Sequence, residues 1–161
     1  MIFKFIYIHY NIIKRSYYLK SFMLYSKSCE YSIRALTYLS AKPQKKKYTL
    51  VREISEKTNI PYAYLYKIFH DLANSTNWIA SKKGRNGGFT MAVESNRIKL
   101  MDIIKLCDGV QKVNKCILGG DKECLQDLNC NMHTNCSYIL NEITAFFEKM
   151  TLDDIADINP F

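Results

Sequence analysis

Residues 49–72 read TLVREISEKTNIPYAYLYKIFHDL, and this stretch predicts two short helices joined by a tight turn. The side-chain oxygen of Thr49 is placed to cap a helix from Leu50 to about Thr58, in which Val51, Ile54 and Thr58 share one face. Asn59-Ile60 makes the turn, and Pro61 suits the first position of the second helix, where its missing N–H has no partner to lose. Leu65, Ile68, Phe69 and Leu72 then keep the i, i+3, i+4, i+7 spacing of a core-facing stripe. That leaves Tyr62, Ala63, Tyr66, Lys67 and His70 on the outer face. A small, aromatic and basic outer face on the second of two such helices is the pattern of a helix-turn-helix that reads DNA; a solvated helix face is the plain alternative.

Upstream, Ser26 to Ser40 holds no Pro or Gly, and Ser32, Ala35, Leu36 and Leu39 recur at helical spacing, so one helix is expected to end before Lys42-Pro43. Pro43-Gln44-Lys45-Lys46-Lys47 has turn chemistry and a charge run, and reads as an exposed loop. Downstream, Trp78-Ile79-Ala80-Ser81 and Phe89-Thr90-Met91 flank Lys82-Lys83-Gly84-Arg85-Asn86-Gly87-Gly88, predicting a hairpin whose glycines permit positive φ. Lys82, Lys83 and Arg85 at its tip have no apolar neighbours to bury their stems. The hairpin therefore reads as a basic wing able to lie along phosphates or place an Arg in the minor groove, with a solvated tip as the alternative. Asn96-Arg97-Ile98-Lys99-Leu100 is expected to close the small sheet, and Met101 to Cys107 to form a short helix ended by Asp108-Gly109. From about Thr134, the residues Ile139, Leu140, Ile143, Phe146, Phe147 and Met150 make one apolar stripe on a helix remote from the first domain's core. A second copy of the chain is the simplest partner for it. The fold class expected is mainly α with a small β-wing: a winged helix-turn-helix followed by a long C-terminal dimerisation helix.

The chain has 161 residues and 48% hydrophobic content, enough for one packed domain with an appendage. Twenty-three Lys and Arg against fifteen Asp and Glu give a net charge of +8, the balance of a protein that meets a polyanion. Part of that excess, Lys4, Lys14, Arg15 and Lys20, falls in residues 1–22, where no acid offsets it. The opening MIFKFIYIHYNII is apolar and aromatic, yet Lys4, His9 and Asn11 interrupt it, and it falls short of the roughly 20 residues a membrane-spanning helix needs. Residues 1–22 read as an upstream extension outside the fold, from a misassigned start codon, with a peripheral basic-aromatic membrane anchor as the sharper alternative. Six cysteines without a signal peptide point to a reducing cytoplasm rather than to secreted disulfides.

Four of those cysteines crowd with a histidine into one stretch: Cys116, seven residues, Cys124, five residues, Cys130, two residues, His133, two residues, Cys136. The gaps are wider than the tight pairs that a tetrahedral zinc favours, and leave room for a loop around a larger object such as an iron-sulfur cluster. Structural thiols or a zinc site are the alternatives. Cys29 and Cys107 lie within apolar helix patterns and read as small buried hydrophobes. No Cys-x-x-Cys pair occurs, and nothing assembles a nucleophile, base and oxyanion site, so no enzyme and no small-molecule substrate are expected.

The blocks MLYSKSCEYSIRALTYLS, ISEKTNIPYAYLYKIFHDL, IASKKGRNGGFTMA, IKLMDIIKLCDG, the cysteine loop and FFEKMTLDDI occur in an order that resembles the BadM-type (IscR/NsrR-like) winged helix-turn-helix transcriptional regulators. The similarity runs from Met23 to about Ile155. It implies a cytoplasmic homodimer whose C-terminal helices cross, each winged helix entering the major groove of a double-stranded DNA operator, with no membrane partner. It implies an iron-sulfur cluster, 2Fe-2S ranked ahead of 4Fe-4S, whose gain, loss or modification changes transcription. By position Cys116, Cys124 and Cys130 match the three family cysteines. His133 falls where one branch supplies a histidine ligand, while Glu30 falls where the nitric-oxide-sensing branch places an acidic ligand from the other subunit. Cys136, where a large aromatic is frequent, opens a fourth thiolate. Ala63, Tyr66 and Lys67 match the base-facing part of the recognition helix and Lys83 a wing residue; Tyr62 and Arg85 join them from the residue reading above. Asn77-Trp78-Ile79 departs from the usual Gly-Leu-Val, and Tyr66 replaces a side chain that is usually charged or polar. The domains expected are 1–22 extension, 23–100 winged helix-turn-helix, 101–135 short helix and cluster-binding loop, 136–152 dimerisation helix and 153–161 tail. The alternative function is a regulator of the same shape without a cluster, sensing by thiol oxidation or zinc.

Overall fold

The computed structural model of the chain describes residues 24–42, 48–85, 87–109 and 132–156. The first helix, α1 (Lys27–Ser40), starts where the Ser26 hydroxyl accepts the N–H of Cys29 at 3.2 Å, satisfying one of the donors a helix start leaves open. Its expected face is buried: Ser32, Ala35, Leu36 and Leu39 point inward with Cys29 and Ile33. The hydroxyls of Ser32 and Thr37 donate to carbonyls four residues back, at 2.9 Å each, so burial leaves neither of them unpaired.

Two helices follow at the predicted places, α2 (Val51–Thr58) and α3 (Tyr62–Ser75). Asn59 ends α2 in the left-handed region, φ 52°, a conformation that a short polar side chain tolerates. Val51, Ile54 and Thr58 of α2 and Leu65, Ile68, Phe69 and Leu72 of α3 are all buried. They close on Leu36 from α1 and on Ile103 and Ile104 from α4 (Leu100–Asp108) to make one core. Each large side chain buried there contributes about 1.5–3 kcal/mol. At the rim, Lys42 pairs with Glu53 at 2.6 Å while Tyr38 donates to the same carboxylate, joining the end of α1 to α2.

The wing is two antiparallel strands, β1 (Ile79–Lys82) and β2 (Gly88–Met91), in register from Ile79 opposite Met91 to Lys82 opposite Gly88. Two expectations fail beside it. Thr49 does not cap α2: Leu50 occupies the cap position without a side-chain bond, and the Thr49 backbone instead exchanges hydrogen bonds with Phe89, at 2.8 and 3.0 Å. Extended backbone at Thr49 satisfies a donor and an acceptor in the sheet, where a cap would satisfy one donor. Residues 96–100 do not close the sheet either. Ser95–Arg97 form a turn of 3-10 helix, and Lys99 pairs with Thr151 through bonds from Leu100 to Met150, 3.0 Å, and from Leu152 to Ile98, 2.8 Å.

That pairing brings the C-terminal helices back onto the winged unit. After α5 (His133–Lys149), the short α6 (Leu152–Ala156) packs on α1, with Leu152 fully buried. Asp154 accepts both the N–H and the hydroxyl of Thr151 at 2.7 Å, and the two bonds hold the Asp154 carboxyl below its ordinary value. The single stripe expected on α5 is split. Cys136 and Leu140 are buried, Phe147 and Met150 pack against the core, and the rings of Tyr25 and Phe147 meet edge-on at 6.1 Å. Tyr138, Ile139 and Phe146 face outward. The helix is therefore not remote from the first core, because the strand-like pairing at Thr151 anchors its end there.

Candidate functional site

On α3 the outward residues form an ordered surface. Tyr62 and Tyr66 stack at 6.3 Å and Tyr66 and His70 at 6.5 Å, each pair tilted by 24°, because i, i+4 spacing sets side chains one above the next. Tyr62 and Tyr66 are 53% and 52% exposed, and Ala63 and Lys67 lie exposed between them. The ladder leaves a ridge of rings already held in place. Opposite it stands the wing, fixed to α3 by the stack of Phe69 on Phe89, ring centroids 4.8 Å apart.

Ridge and wing enclose a cleft of about 600 Å³, with Tyr62, Tyr66 and His70 on one wall, Lys82, Lys83 and Gly84 on the other, and Leu50 and Arg52 at one edge. No carboxylate is among the described residues lining it. Its field is therefore positive, suited to a polyanion. At the tip, the Gly87 N–H donates to the Gly84 carbonyl at 2.9 Å, and Gly84 holds φ +104°, which favours glycine. Lys83 and Arg85 are exposed there. The structure thus brings Tyr62, Ala63, Tyr66 and Lys67 to one helix face and Lys83 and Arg85 to the facing wing. Arg52 and Lys82 join the basic lining of the cleft beside the expected residues. A signal for Arg52 was present: it falls off the Val51, Ile54, Thr58 stripe, on the solvent side of α2.

The cysteine-rich stretch stands differently. Cys116, Cys124 and Cys130 lie outside the described residues, as does the side chain of His133, the first residue of α5. Among the described residues no group of three or more His, Cys, Asp or Glu could hold a metal ion. Cys136 is buried one turn into α5. A donor set of three thiols with an imidazole or a fourth thiol has the chemistry an iron-sulfur cluster takes. Glu30 is paired within its own chain, to Lys27 at 2.6 Å and Arg34 at 2.9 Å, and both cations compete with a metal for its oxygens. Among the described residues, no helix is long and apolar enough to cross a membrane.

Cys29 is buried, as its apolar setting implies, but Cys107 is only half-buried and is not an inert filler. Hydrogen bonding with Cys29 and with Ser32, whose hydroxyl oxygen accepts the Cys107 thiol, outweighs burial and lowers its pKa to about 7. The apolar pattern around Cys107 announces a helix face, and says nothing of which polar atoms another helix brings to it.

The model of the family described as Rrf2, iron-dependent transcriptional regulator, matches residues 25–158. A protein of Aquifex aeolicus (strain VF5) described as an HTH-type transcriptional regulator is 31% identical over 138 residues, covering 84% of this chain and 93% of that protein. The HTH-type transcriptional regulator NsrR of Shouchella clausii (strain KSM-K16) is 27% identical over 126 residues, covering 78% of this chain and 83% of its own length. Among solved structures, CymR, the global cysteine regulator of B. subtilis, superposes with a TM-score of 0.66 at 19% identity, over 83% of this chain and 96% of CymR; at that identity it speaks for the fold alone. With a winged helix-turn-helix that carries a basic, aromatic cleft, and with a family match over 25–158, this chain belongs to the Rrf2 family of DNA-binding transcriptional regulators and is not an enzyme.

Proposed function

We propose that the protein acts in the cytoplasm as a homodimer that reads a double-stranded operator through α3 and the wing, and senses through an iron-sulfur cluster. Residues 23–100 are the reading unit, 101–135 the short helix and cluster loop, 136–152 the dimerisation helix and 153–161 a tail, with 1–22 outside the fold. Cys116, Cys124 and Cys130 are the ligands, with His133 as the fourth and Glu30 or Cys136 as alternatives. A 2Fe-2S cluster is favoured over 4Fe-4S. The family's description as iron-dependent supports the metal, and the donor set suits it.

The observation that carries the DNA side is the cleft in which a stacked aromatic ridge faces a basic wing, with no carboxylate among the described residues that line it. Tyr62, Ala63, Tyr66 and Lys67 meet bases and phosphates in the major groove, while Lys83 and Arg85 neutralise phosphates. When bound, the cluster supplies a centre that gains or loses electrons and ligands. The chain's own part would be to hold it with thiolates and an imidazole.

Two measurements test the reading. Anaerobically purified protein is expected to be brown, with iron and acid-labile sulfide that Cys124→Ala loses. Colourless protein with zinc, or with no metal, replaces the cluster by the thiol- or zinc-sensing alternative. Gel-shift titrations are expected to give an affinity for duplex DNA that falls steeply with salt; no binding at any salt would remove the DNA-reading role of the cleft.

A further inference from the structure

Cys107 lies in the last turn of α4, where that helix meets the start of α1. Its sulfur lies 3.4 Å from the Ser32 hydroxyl and is hydrogen-bonded to Cys29, which is completely buried. Next to it, Asp108 accepts the N–H of Ser26 at 2.5 Å, so the two helix ends are tied together around the thiol pair. A cavity of about 160 Å³ opens over Cys107, between Ser28 and Ser32 of α1, Leu106 of α4 and the Leu72 and Asp71 side of α3. A small polar molecule can enter there and meet Cys107 first, with Cys29 behind it. Hydrogen bonding with Cys29 and Ser32 brings the Cys107 thiol to about 7, against burial and the Asp108 carboxylate, which push it up; Asp71 is the other charged group at the cavity. Near neutral pH a large share is therefore thiolate, the nucleophilic form.

We propose that Cys107 and Cys29 form a hydroperoxide-reactive thiol pair, a modification site where α4 packs against α1 and separate from the cysteine-rich stretch. The Cys107 thiolate attacks the outer oxygen of the hydroperoxide. An S–O bond forms, the O–O bond breaks, and the alkoxide or hydroxide takes a proton from water, so that sulfur is oxidised to sulfenic acid and the peroxide is reduced to an alcohol or water. The Cys29 sulfur then attacks that sulfur. An S–S bond forms, the S–O bond breaks, and hydroxide leaves with the Cys29 proton as water. The disulfide draws α1 and α4 together behind α3, on the side away from Tyr62 and Tyr66.

The test uses the full chain, purified anaerobically and treated with one equivalent of hydrogen peroxide, then blocked and mapped by peptide mass spectrometry. A Cys29–Cys107 disulfide is expected in the parent. In Cys29→Ala, where the second step is removed, dimedone is expected to trap sulfenic acid on Cys107. Alkylation of Cys107 by iodoacetamide in the untreated parent is expected to have its midpoint near pH 7. Peroxide that oxidises Cys116, Cys124 or Cys130 while Cys107 stays reduced overturns the proposal, as does a Cys107 alkylation midpoint above pH 8. The parent measurements hold even if the variant fails to fold. A colourless protein that still forms the Cys29–Cys107 bond would sink the cluster and keep this site.

Discussion

At Gly88 the backbone holds φ +134° and passes so close to Thr49 that a Cβ would stand 2.1 Å from its carbonyl oxygen. Gly88→Ala is expected to lower stability by roughly 2–3 kcal/mol, since it adds left-handed strain to a backbone clash that no side chain can relieve; urea denaturation measures it, and an unchanged midpoint would contradict the Thr49–Phe89 pairing. Cys107 makes stability depend on pH. Its folded pKa, about 7, lies below the ordinary 9.0, so between those values the unfolded chain binds more protons than the folded one and stability rises with pH. The contribution is fully present above the unfolded value and is lost as pH falls through the folded one. Denaturation midpoints of the parent are expected to gain on those of Cys107→Ala from pH 7 toward pH 9; parallel curves would contradict the hydrogen-bonded thiol. Neither effect is legible in the letters, because each depends on an atom that the fold brings from a distant segment.

The recognition helix and its wing behave as one element. Phe69 on Phe89 sets their spacing, and the tip lysine and arginine stand clear of the core. Lys83→Ala and Arg85→Ala are each expected to weaken binding to all duplex sequences alike and to reduce the slope of log K against log salt by about one. Tyr66→Ala, which removes the middle ring of the ladder, is expected to weaken operator binding by at least about tenfold while leaving the salt slope nearly unchanged. A Tyr66→Ala protein that binds like the parent would make the ladder a solvated face. The burial of α3 was legible because Leu65, Ile68, Phe69 and Leu72 repeat at the helix's own period. The place of Thr49 was not, because a strand pair needs a partner that local periodicity does not reveal.

For the whole molecule, the two-sided helix α5 decides what association requires. Phe147 and Met150 serve the chain's own core, while Tyr138, Ile139 and Phe146, 65%, 48% and 54% exposed, are left for another surface. In the proposed homodimer these outer residues carry the interface. Ile139→Glu with Phe146→Glu is expected to give a folded monomer in sedimentation velocity, with helix content unchanged; a dimer that persists would move the interface elsewhere. Phe147→Ala is expected instead to lower stability by roughly 2–3 kcal/mol, below the usual range for a phenylalanine truncation because the ring is only half-buried, without changing the oligomeric state.

The sequence by itself determined the helix-turn-helix, the wing, the basic excess and the cysteine spacing, since helical period, turn chemistry, charge and spacing are properties of neighbouring residues. Only the tertiary structure decided that Thr49 extends the wing, that Lys99 pairs with Thr151 and so returns α6 to α1, and that Arg52 stands at the cleft. It likewise turned one apolar stripe on α5 into two faces and set Cys107 against Cys29. The physical reason is common to all of these: backbone pairing, burial and hydrogen bonding between distant segments take their energy from partners that no local pattern names.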